Sequence, residues 1–365
     1  MPNQATSNHS FVQRVLIVGG VALLVLSLAH LLRYLGGVLL LVFAGVLLAV
    51  ALDGLTKLVQ RYTPLGRGWS LLVVLVILIL IVGAIGASLG PLIADQMTEL
   101  IHRLPEAVDS IRSKLQANEW GRVLLRNMPD PSQFLAGASQ VLGPVAGAFS
   151  TALGVIGNGV VILIIGIFIA VDPDLYIRGI LYLVPPKRRA RTREVTQELG
   201  YALRRWFMGR LASMALIGIL TYIGLSLTGI ALPLALGFLA GGLSFIPYIG
   251  PLLALIPMLL VASLQSLTVS LYALAVYGVV QFAETNLISP LIQKRMVSLP
   301  PALLITAQMM GGVVAGGTGV LLAEPAAVVT MVLVQMLYIE DVLGESVPLV
   351  GETSSETSAS AHSEA

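Results

Sequence analysis

The chain has 365 residues, of which 56% are hydrophobic and only 11% are charged, with a mean hydropathy of +0.91. A soluble domain carries about 25% charged residues, so this composition predicts an integral membrane protein. The apolar stretches are continuous, which excludes an outer-membrane barrel with its short alternating strands. The chain has no cysteine, which excludes disulfides, thiol catalysis and thiolate metal sites, and a net charge of +2 gives no reason to expect nucleic acid as a partner.

Apolar segments of bilayer-crossing length follow one another along the chain. Crossing a bilayer takes about 20 apolar residues. We therefore expect an all-α polytopic membrane protein with about eight membrane segments, including two broken or re-entrant helical hairpins. A cleaved signal sequence is the alternative for the first segment, but the apolar run resumes almost at once. The segments are Val15–Leu32, Leu35–Leu52, Leu71–Leu92, Leu153–Val171, Leu211–Leu227, Gly229–Val261, Leu267–Ile288 and Pro301–Tyr338.

The positions of Lys and Arg predict the orientation of the chain, because basic loops stay in the cytoplasm. Residues 172–210 contain the run KRRARTR and should be cytoplasmic, as should the loop with Lys57, Arg61 and Arg67. Acidic residues outnumber basic ones between the two loops. The predicted parts are a polar N-terminus (1–14), three spans (15–92), an extracytoplasmic helical segment (93–150), a span (151–171), a basic cytoplasmic amphipathic segment (172–210), a transport region with broken helices (211–343) and a disordered tail (344–365).

Two amphipathic stripes lie outside the predicted spans. The external stripe is expected to pack on a neighbouring helix or subunit, with a substrate cap as the alternative. The cytoplasmic stripe, with Trp206 as an interfacial anchor, indicates a helix lying on the anionic inner leaflet, with a lipid-sensing switch as the alternative. The stripes are Leu100, Leu104, Val108, Ile111 and Leu115 outside, and Val195, Leu199, Ala202, Leu203 and Trp206 inside.

Two long apolar tracts are interrupted by glycine and proline. Gly229–Val261 is too long for one untilted span and too short for two, and it breaks near IPYIGP. Pro301–Tyr338 breaks at GGVVAGGTG, residues Gly311–Gly319. Irregular backbone inside a membrane is tolerated where it is buried in protein or lines a polar cavity, and paired interruptions of this kind indicate a transporter binding site. Kinked full-length spans are the alternative to two hairpins.

The interrupted tracts also carry a family resemblance. LSFIPYIGPLLALIP, QFAETNLISPLI and GGVVAGGTGVLLAEPAAVV follow in this order after the basic loop VPPKRRARTR. Over roughly residues 35–338 the chain resembles the autoinducer-2 exporter family of bacterial membrane proteins. The resemblance implies a multi-pass secondary transporter of the inner membrane, exporting autoinducer-2 in some members and exchanging sodium for protons in others. It also implies a homopentamer with an elevator-like moving domain.

The resemblance points to particular residues and also shows two departures. Where the family usually has His-Pro, this chain has Pro300 and Pro301, and Glu324 replaces an apolar residue. The missing histidine weakens a proton-relay role at that place, and the added glutamate points to a changed substrate or coupling ion. The family motifs fall on Pro247, Tyr248, Gly250 and Pro251, and on Glu284, Asn286 and Pro290.

Carboxylates inside apolar tracts are the sharpest chemical signal. An acidic residue at the centre of a membrane helix costs roughly 2.5–3.5 kcal/mol, so Glu284 and Glu324 should be buried in protein, paired or protonated. We expect a proton or cation site that these glutamates share with Gln281, Asn286 and the freed carbonyls. Hydrogen bonding between helices is the alternative. Gly316, Gly317 and Gly319 at the second break complete the set of candidate site residues.

Rival functions have less support in the sequence. GASLG around Ser88 matches a nucleophile elbow, but that motif needs a preceding strand and a nearby histidine base. We predict no enzyme, no cofactor and no metal site. The predicted function is secondary active export of a small polar or signalling molecule across the bacterial inner membrane, with a sodium/proton antiporter as the alternative and a channel as a further rival. The expected partners are membrane lipids, a small-molecule or ion substrate, and further copies of this chain.

Overall fold

The computed structural model describes residues 36–116, 158–288 and 300–345. Every regular element within these ranges is helical, which confirms the all-α class. Five of the described helices are long and apolar enough to cross a membrane, or six if one bent pair counts as a span, so the expected count of about eight is not confirmed. The expectations for Val15–Leu32, for residues 117–157, for Pro290 and for the C-terminal tail lie outside the described residues.

The first two helices run side by side and differ greatly in length. Helix α1 comprises Gly36–Tyr62 and helix α2 comprises Arg67–Gln116. The 50 residues of α2 correspond to about 75 Å, more than twice the roughly 30 Å of a hydrocarbon core. Its second half carries the external stripe, and there Leu100 and Leu104 are buried against the first hairpin described below. The stripe therefore packs on a neighbouring element of the same chain.

A sharp bend separates the next two helices. Helix α3 comprises Asn158–Val171 and helix α4 comprises Pro173–Tyr182. Their axes differ by 84°. Asp172 between them caps α4, because its Oδ1 accepts a hydrogen bond from the backbone N–H of Leu175 at 3.1 Å. Where α3 crosses the membrane along its normal, the angle of 84° orients α4 close to the membrane plane.

Helix α5 comprises Arg189–Leu227 and runs unbroken through the boundary predicted near residue 210. The cytoplasmic stripe lies on its first half. Trp206 on this stripe is only 5% exposed, and the stripe packs against Leu47 of α1 and Val332 of the second hairpin. The interpretation of Trp206 as an interfacial anchor is therefore wrong. The stripe is covered by helices of the same chain, which periodicity alone cannot distinguish from a membrane surface.

The first interrupted tract forms a helical hairpin, which we call hairpin 1. Its arms are helix α6, Pro233–Leu243, and helix α7, Ile249–Gln265. The Nε2 of Gln265 donates a hydrogen bond at 3.3 Å to the carbonyl of Gly229, which is 36 residues earlier. Along a straight helix these residues would be about 54 Å apart. The tract therefore turns back on itself and returns to the end where it began.

The second interrupted tract, hairpin 2, lies within helix α9, Pro301–Leu333. Ala315 and Gly316 leave the helical conformation, and Gly316 has a φ of 60°, which glycine adopts without strain. Gly311 and Gly319 pack backbone against backbone, so that a Cβ added at Gly319 would lie 2.5 Å from the carbonyl carbon of Gly311. Eight residues of straight helix would separate these two by about 12 Å. Both tracts are thus hairpins, as the glycine and proline pattern predicts.

The remaining helix and two close contacts complete the bundle around hairpin 1. Helix α8 comprises Leu267–Ala283 and continues as a π-helical turn, Glu284–Ile288. Helix α6 packs closely on α5, because a Cβ at Gly237 would lie 2.8 Å from the carbonyl oxygen of Gly218. Small residues permit such close approach between membrane helices. At the open end of the hairpin, Oε1 of Gln96 accepts hydrogen bonds from the first backbone N–H groups of α6.

One carboxylate joins three helices at the end of the bundle that the basic residues mark as cytoplasmic. Asp53 of α1 is 12% exposed and forms ion pairs with Lys57 at 2.9 Å, with Arg67 of α2 at 2.6 Å and with Arg204 of α5 at 2.9 Å. Arg67 also donates hydrogen bonds to the last carbonyls of α3, at Ala170 and Val171. These bonds satisfy carbonyls that a helix end leaves free. The network therefore fixes α1, α2, α3 and α5 relative to one another.

Candidate functional site

The tip of hairpin 1 is held by polar side chains from two other elements. Arg210 of α5 donates two hydrogen bonds to the carbonyl of Phe245, from Nε at 3.2 Å and from Nη2 at 3.0 Å. Gln308, on the first arm of hairpin 2, donates from Nε2 to the carbonyl of Pro247 at 3.1 Å. The turn frees these carbonyls because it interrupts the helical ladder. The tip of one hairpin is therefore bonded to the other hairpin.

An ion pair lies at the same place. Nη2 of Arg210 is 3.3 Å from Oε2 of Glu324 on the second arm of hairpin 2, and the two side chains are 13% and 15% exposed. Because Arg210 also binds the Phe245 carbonyl, one guanidinium contacts both hairpins. We call the group Trp206, Arg210, Phe245, Pro247, Gln308 and Glu324 the hairpin-tip site.

Polar atoms at this site have unused hydrogen-bonding capacity. Gln308 is 1% exposed, and its Oε1 has no hydrogen-bond partner in the described part of the chain. Within the same ranges Oε2 of Glu324 also lacks a hydrogen bond, although this carboxylate keeps its ion pair with Arg210 and lies near the indole N–H of Trp206. The ring of Trp206 packs edge to face on Phe245, with centroids 5.8 Å apart. Buried polar atoms without partners are costly, so their grouping here indicates a place for a polar ligand.

Hairpin 2 brings Gln308 and Glu324 to similar depths. Gln308 lies three residues before Gly311, and Glu324 lies five residues after Gly319, along two arms that touch at those glycines. These separations correspond to about 4.5 Å and 7.5 Å of helix. The two side chains are thus on opposite arms and within about one helical turn of each other in depth. The close glycine contact therefore controls the spacing of the polar groups below it.

The second predicted carboxylate lies on a different element. Glu284 is half-buried and begins the π-helical turn Glu284–Ile288, which contacts α5. The carboxyl group of Glu284 is near enough to that of Glu324 for the two charges to interact. Oε1 of Gln281 is buried without a hydrogen-bond partner among the described residues, whereas exposed Asn286 donates to the carbonyl of Phe282 in its own helix. Asn286 is therefore the member of this group turned away from the protein interior.

The predicted residues of hairpin 1 form the turn itself. Tyr248 has a φ of 63° and a side chain that is 48% exposed. A Cβ at buried Gly250 would lie 2.7 Å from the carbonyl carbon of Leu243, so only glycine fits between the arms. The Pro251 carbonyl accepts a hydrogen bond from the Tyr277 hydroxyl of α8 at 3.1 Å. Of the family-motif residues, Pro247 alone has a carbonyl bonded at the hairpin-tip site.

The predicted glycines of hairpin 2 differ in what the structure requires of them. Gly316 provides the positive φ at the turn, and Gly319 provides the close contact with Gly311. Gly317 has no positive φ, and a Cβ added there would meet no atom within 4 Å. The reversal therefore depends on Gly316 and Gly319 rather than on Gly317.

Of the six residues of the hairpin-tip site, the sequence predicts only Pro247 and Glu324. It misses the two polar partners, Arg210 and Gln308. The sequence places Arg210 in the basic cytoplasmic segment. In the structure it pairs with Glu324, which is buried in an apolar tract. Gln308 gives no signal in the sequence, because a single amide in an apolar helix is common. A carboxylate that persists in an apolar tract requires a partner, so the sequence indicates that Glu324 is paired or protonated but does not indicate which cation pairs with it.

The GASLG motif around Ser88, which would indicate a hydrolase, lies inside a long helix. Ser88 is inside α2, and its Oγ donates a hydrogen bond to the carbonyl of Ala84 at 2.7 Å. A nucleophile elbow requires a strand before the serine and a helix after it. The hydroxyl of Ser88 therefore bonds a carbonyl of its own helix, as serine side chains commonly do in membrane spans.

The fold and the site define a polytopic α-helical membrane protein whose two hairpins meet at a buried polar site. The family profile described as AI-2E family transporter matches residues 16–339, and the chain therefore belongs to this transporter family. It is 26% identical over 294 residues to the candidate transport protein YueF of Bacillus subtilis, covering 77% of this chain and 79% of that protein. It is 26% identical over 275 residues to YrrI of the same organism, covering 71% and 76%. The candidate transport protein sll0060 of Synechocystis is 25% identical over 295 residues, covering 77% and 83%.

Proposed function

We propose that this protein is a secondary active transporter that exports a small polar or signalling molecule, similar to autoinducer-2, across the bacterial inner membrane. The observation that carries the proposal is the hairpin-tip site, where a buried ion pair and a buried amide lie between two hairpins. Transporters bind substrates and coupling ions at such broken helices, because the freed backbone groups act as ligands. Membership of a transporter family supports the same conclusion. Homopentameric assembly and an elevator-like movement are part of the proposal.

An unpartnered atom suggests the chemistry of the substrate. Oε1 of Gln308 can accept a hydrogen bond, and it is buried and without one in the described residues. The rings of Trp206 and Phe245 provide an apolar wall beside it. A small molecule with several hydroxyl groups on a compact carbon frame complements this arrangement, because a hydroxyl can donate to this oxygen.

Glu324 is the group through which transport is coupled to a proton or cation in this proposal. A guanidinium group carries its charge at any physiological pH, whereas a carboxylate changes charge when it takes up a proton. Neutralising Glu324 weakens its ion pair with Arg210, and the same guanidinium holds the carbonyl of Phe245. A change of charge on hairpin 2 is thereby transmitted to the tip of hairpin 1.

A second candidate function is sodium/proton exchange without an organic substrate. It is favoured by the neighbouring carboxyl groups of Glu284 and Glu324 and by the unpartnered amide oxygen of Gln281. Oxygen ligands of this kind suit a hard cation that competes with protons. Vesicles with an internal pH-sensitive dye distinguish the two functions, because an antiporter acidifies or alkalinises the lumen when sodium alone is added.

The test of the first function is counterflow in proteoliposomes with radiolabelled autoinducer-2 and other small polyols. Gln308→Met keeps the size of the side chain and removes its polar atoms, so we expect at least a tenfold loss of counterflow. The matched control is Thr306→Val on the same arm, because Thr306 is exposed and bonds only its own helix at Ala302. Equal counterflow in Gln308→Met and Thr306→Val would contradict the assignment of the site.

A further inference from the structure

A basic groove lies between the bent helix α4 and the start of α5. It has a volume of about 340 Å³ and is lined by Arg178, Leu181, Tyr182, Arg189, Ala190 and Arg193. Three of the six lining residues are arginines, and none is acidic. The groove shares α5 with the hairpin-tip site, but Arg193 lies 13 residues before Trp206, which is about 20 Å of helix.

The arginines of this groove differ from the other cations of the basic segment. Arg191 forms ion pairs with Glu194, Glu340 and Asp341, and it thereby contacts the residues that follow α9. Arg189 is positioned by a hydrogen bond from its Nε to the Val184 carbonyl, with its guanidinium 5.7 Å above the ring of Tyr182.

The guanidinium groups of the two outer arginines of the groove, Arg178 and Arg193, form no hydrogen bond or ion pair with any described residue. Arg178 is on α4 and Arg193 is on α5, so the groove places guanidinium groups on both of its walls. Planar guanidinium groups bind phosphate oxygens with two parallel hydrogen bonds.

Helix α4 and the residue just after it provide an exposed apolar surface beside the groove. This helix makes an angle of 84° with the preceding span, so it follows the membrane surface where that span crosses along the membrane normal. Large apolar side chains on and just after it are exposed, with Leu175 at 62%, Ile180 at 47% and Leu183 at 86%. Apolar residues exposed beside a basic groove at a membrane surface match a molecule that has both an anionic headgroup and acyl chains.

We propose that this groove is a binding site for an anionic phospholipid, with the headgroup phosphate held by Arg178, Arg189 and Arg193 and the acyl chains lying along α4. A volume of about 340 Å³ is within the range of small-molecule sites, so a headgroup fits and the chains remain outside. The site would secure the junction of α4 and α5 to the cytoplasmic leaflet. This inference is independent of which substrate the protein transports.

The test is a lipid titration of the purified, delipidated full-length protein, followed by native mass spectrometry. The probes are phosphatidylglycerol, phosphatidylcholine and inorganic phosphate. We expect phosphatidylglycerol to bind the wild type at least tenfold more tightly than phosphatidylcholine, and inorganic phosphate to compete only weakly. The double variant Arg178→Gln/Arg193→Gln should lose at least tenfold in affinity for phosphatidylglycerol and keep its size-exclusion profile, since both side chains are exposed.

The matched control is Lys187→Gln/Arg188→Gln, which removes the same charge from exposed positions next to the groove without touching its lining. We expect this control to change the affinity by less than threefold. Equal losses in the two double variants would mean that bulk charge alone attracts the lipid and would overturn the proposal. Inorganic phosphate that binds as tightly as phosphatidylglycerol would also overturn it, in favour of a soluble anion. The single variant Arg193→Gln provides a milder test, and its affinity for phosphatidylglycerol should fall by at least threefold.

Discussion

The contact between Gly311 and Gly319 gives a prediction about stability. Gly319→Ala should lower the free energy of unfolding, whereas Gly317→Ala, two residues away, should not. A Cβ at Gly319 would lie 2.5 Å from the carbonyl carbon of Gly311 and still closer to its oxygen, whereas ordinary contacts begin at 3.4 Å, so the arms must separate by more than about 0.9 Å. Overpacking of this kind typically costs about 1–3 kcal/mol. Gly319→Ala should therefore lower the free energy of unfolding by about that amount.

Gly317→Ala is the matched control, because a Cβ there meets no atom within 4 Å and its φ is not positive. Replacing a glycine by alanine in a compatible helical position stabilises a protein by about 0.4–1 kcal/mol. The two variants, two residues apart, should thus change stability in opposite directions. Separation of the arms also displaces Gln308 and Glu324, so transport should fall in Gly319→Ala and stay close to wild type in Gly317→Ala.

The assay heats the detergent-purified variants and measures by size exclusion the fraction that stays monodisperse, alongside counterflow in proteoliposomes. We expect the thermal midpoint of Gly319→Ala to lie below the wild-type value and that of Gly317→Ala at or above it. Equal midpoints and equal transport in the two variants would refute the reasoning, because the arms of hairpin 2 would then not touch at Gly319.

Two further predictions concern the network around Asp53 and the course of the chain. Asp53→Asn should lower the free energy of unfolding by about 1.5–3 kcal/mol, because it weakens charged hydrogen bonds to three cations, while exposed Glu106→Gln should leave the thermal midpoint unchanged. Since the chain has no native cysteine, an impermeant maleimide reports sidedness without background. Ser226→Cys and Thr268→Cys flank hairpin 1 and should both react from outside, whereas Gln197→Cys should not; reaction of only one of the first two would mean a straight span.

The interruptions of the apolar tracts made both hairpins predictable. Glycine and proline are unfavourable inside a helix. In a membrane, the backbone groups that they leave unbonded must find other hydrogen-bond partners. The pattern identified the turn at Tyr248 and Gly250 and the turn at Gly316. It did not show that Gly317 is dispensable, because the space around a residue depends on the opposite arm of the hairpin.

The polar partners at the hairpin-tip site could not be read from the sequence. Arg210 and Glu324 are 114 positions apart, and nothing in the spacing of charges connects them. Trp206 likewise has the periodicity of a surface helix, although it is buried against Phe245. An amphipathic pattern shows that one face of a helix is covered, but it does not show whether lipid or protein covers it.

The 50-residue length of α2 was also missed, since the sequence suggested a span followed by a separate external helix. Pro91 and Pro105 lie inside this helix without ending it. Packing of Met97, Leu100 and Leu104 against hairpin 1 keeps the helix continuous through both prolines. Tertiary contacts of this kind outweigh local breaking signals, so one helix continues past residue 92, where the sequence predicts the span to end.

The central claim, that the hairpin-tip site couples transport to protons, is tested most directly by Glu324→Gln in proteoliposomes with and without an imposed proton gradient. We expect wild-type transport of autoinducer-2 to depend on the gradient. Glu324→Gln should keep its fold and lose this dependence, because the amide can bond Arg210 without changing charge, and Glu284→Gln should show a weaker loss. A Glu324→Gln variant with the wild-type rate and an unchanged response to the gradient would contradict the account.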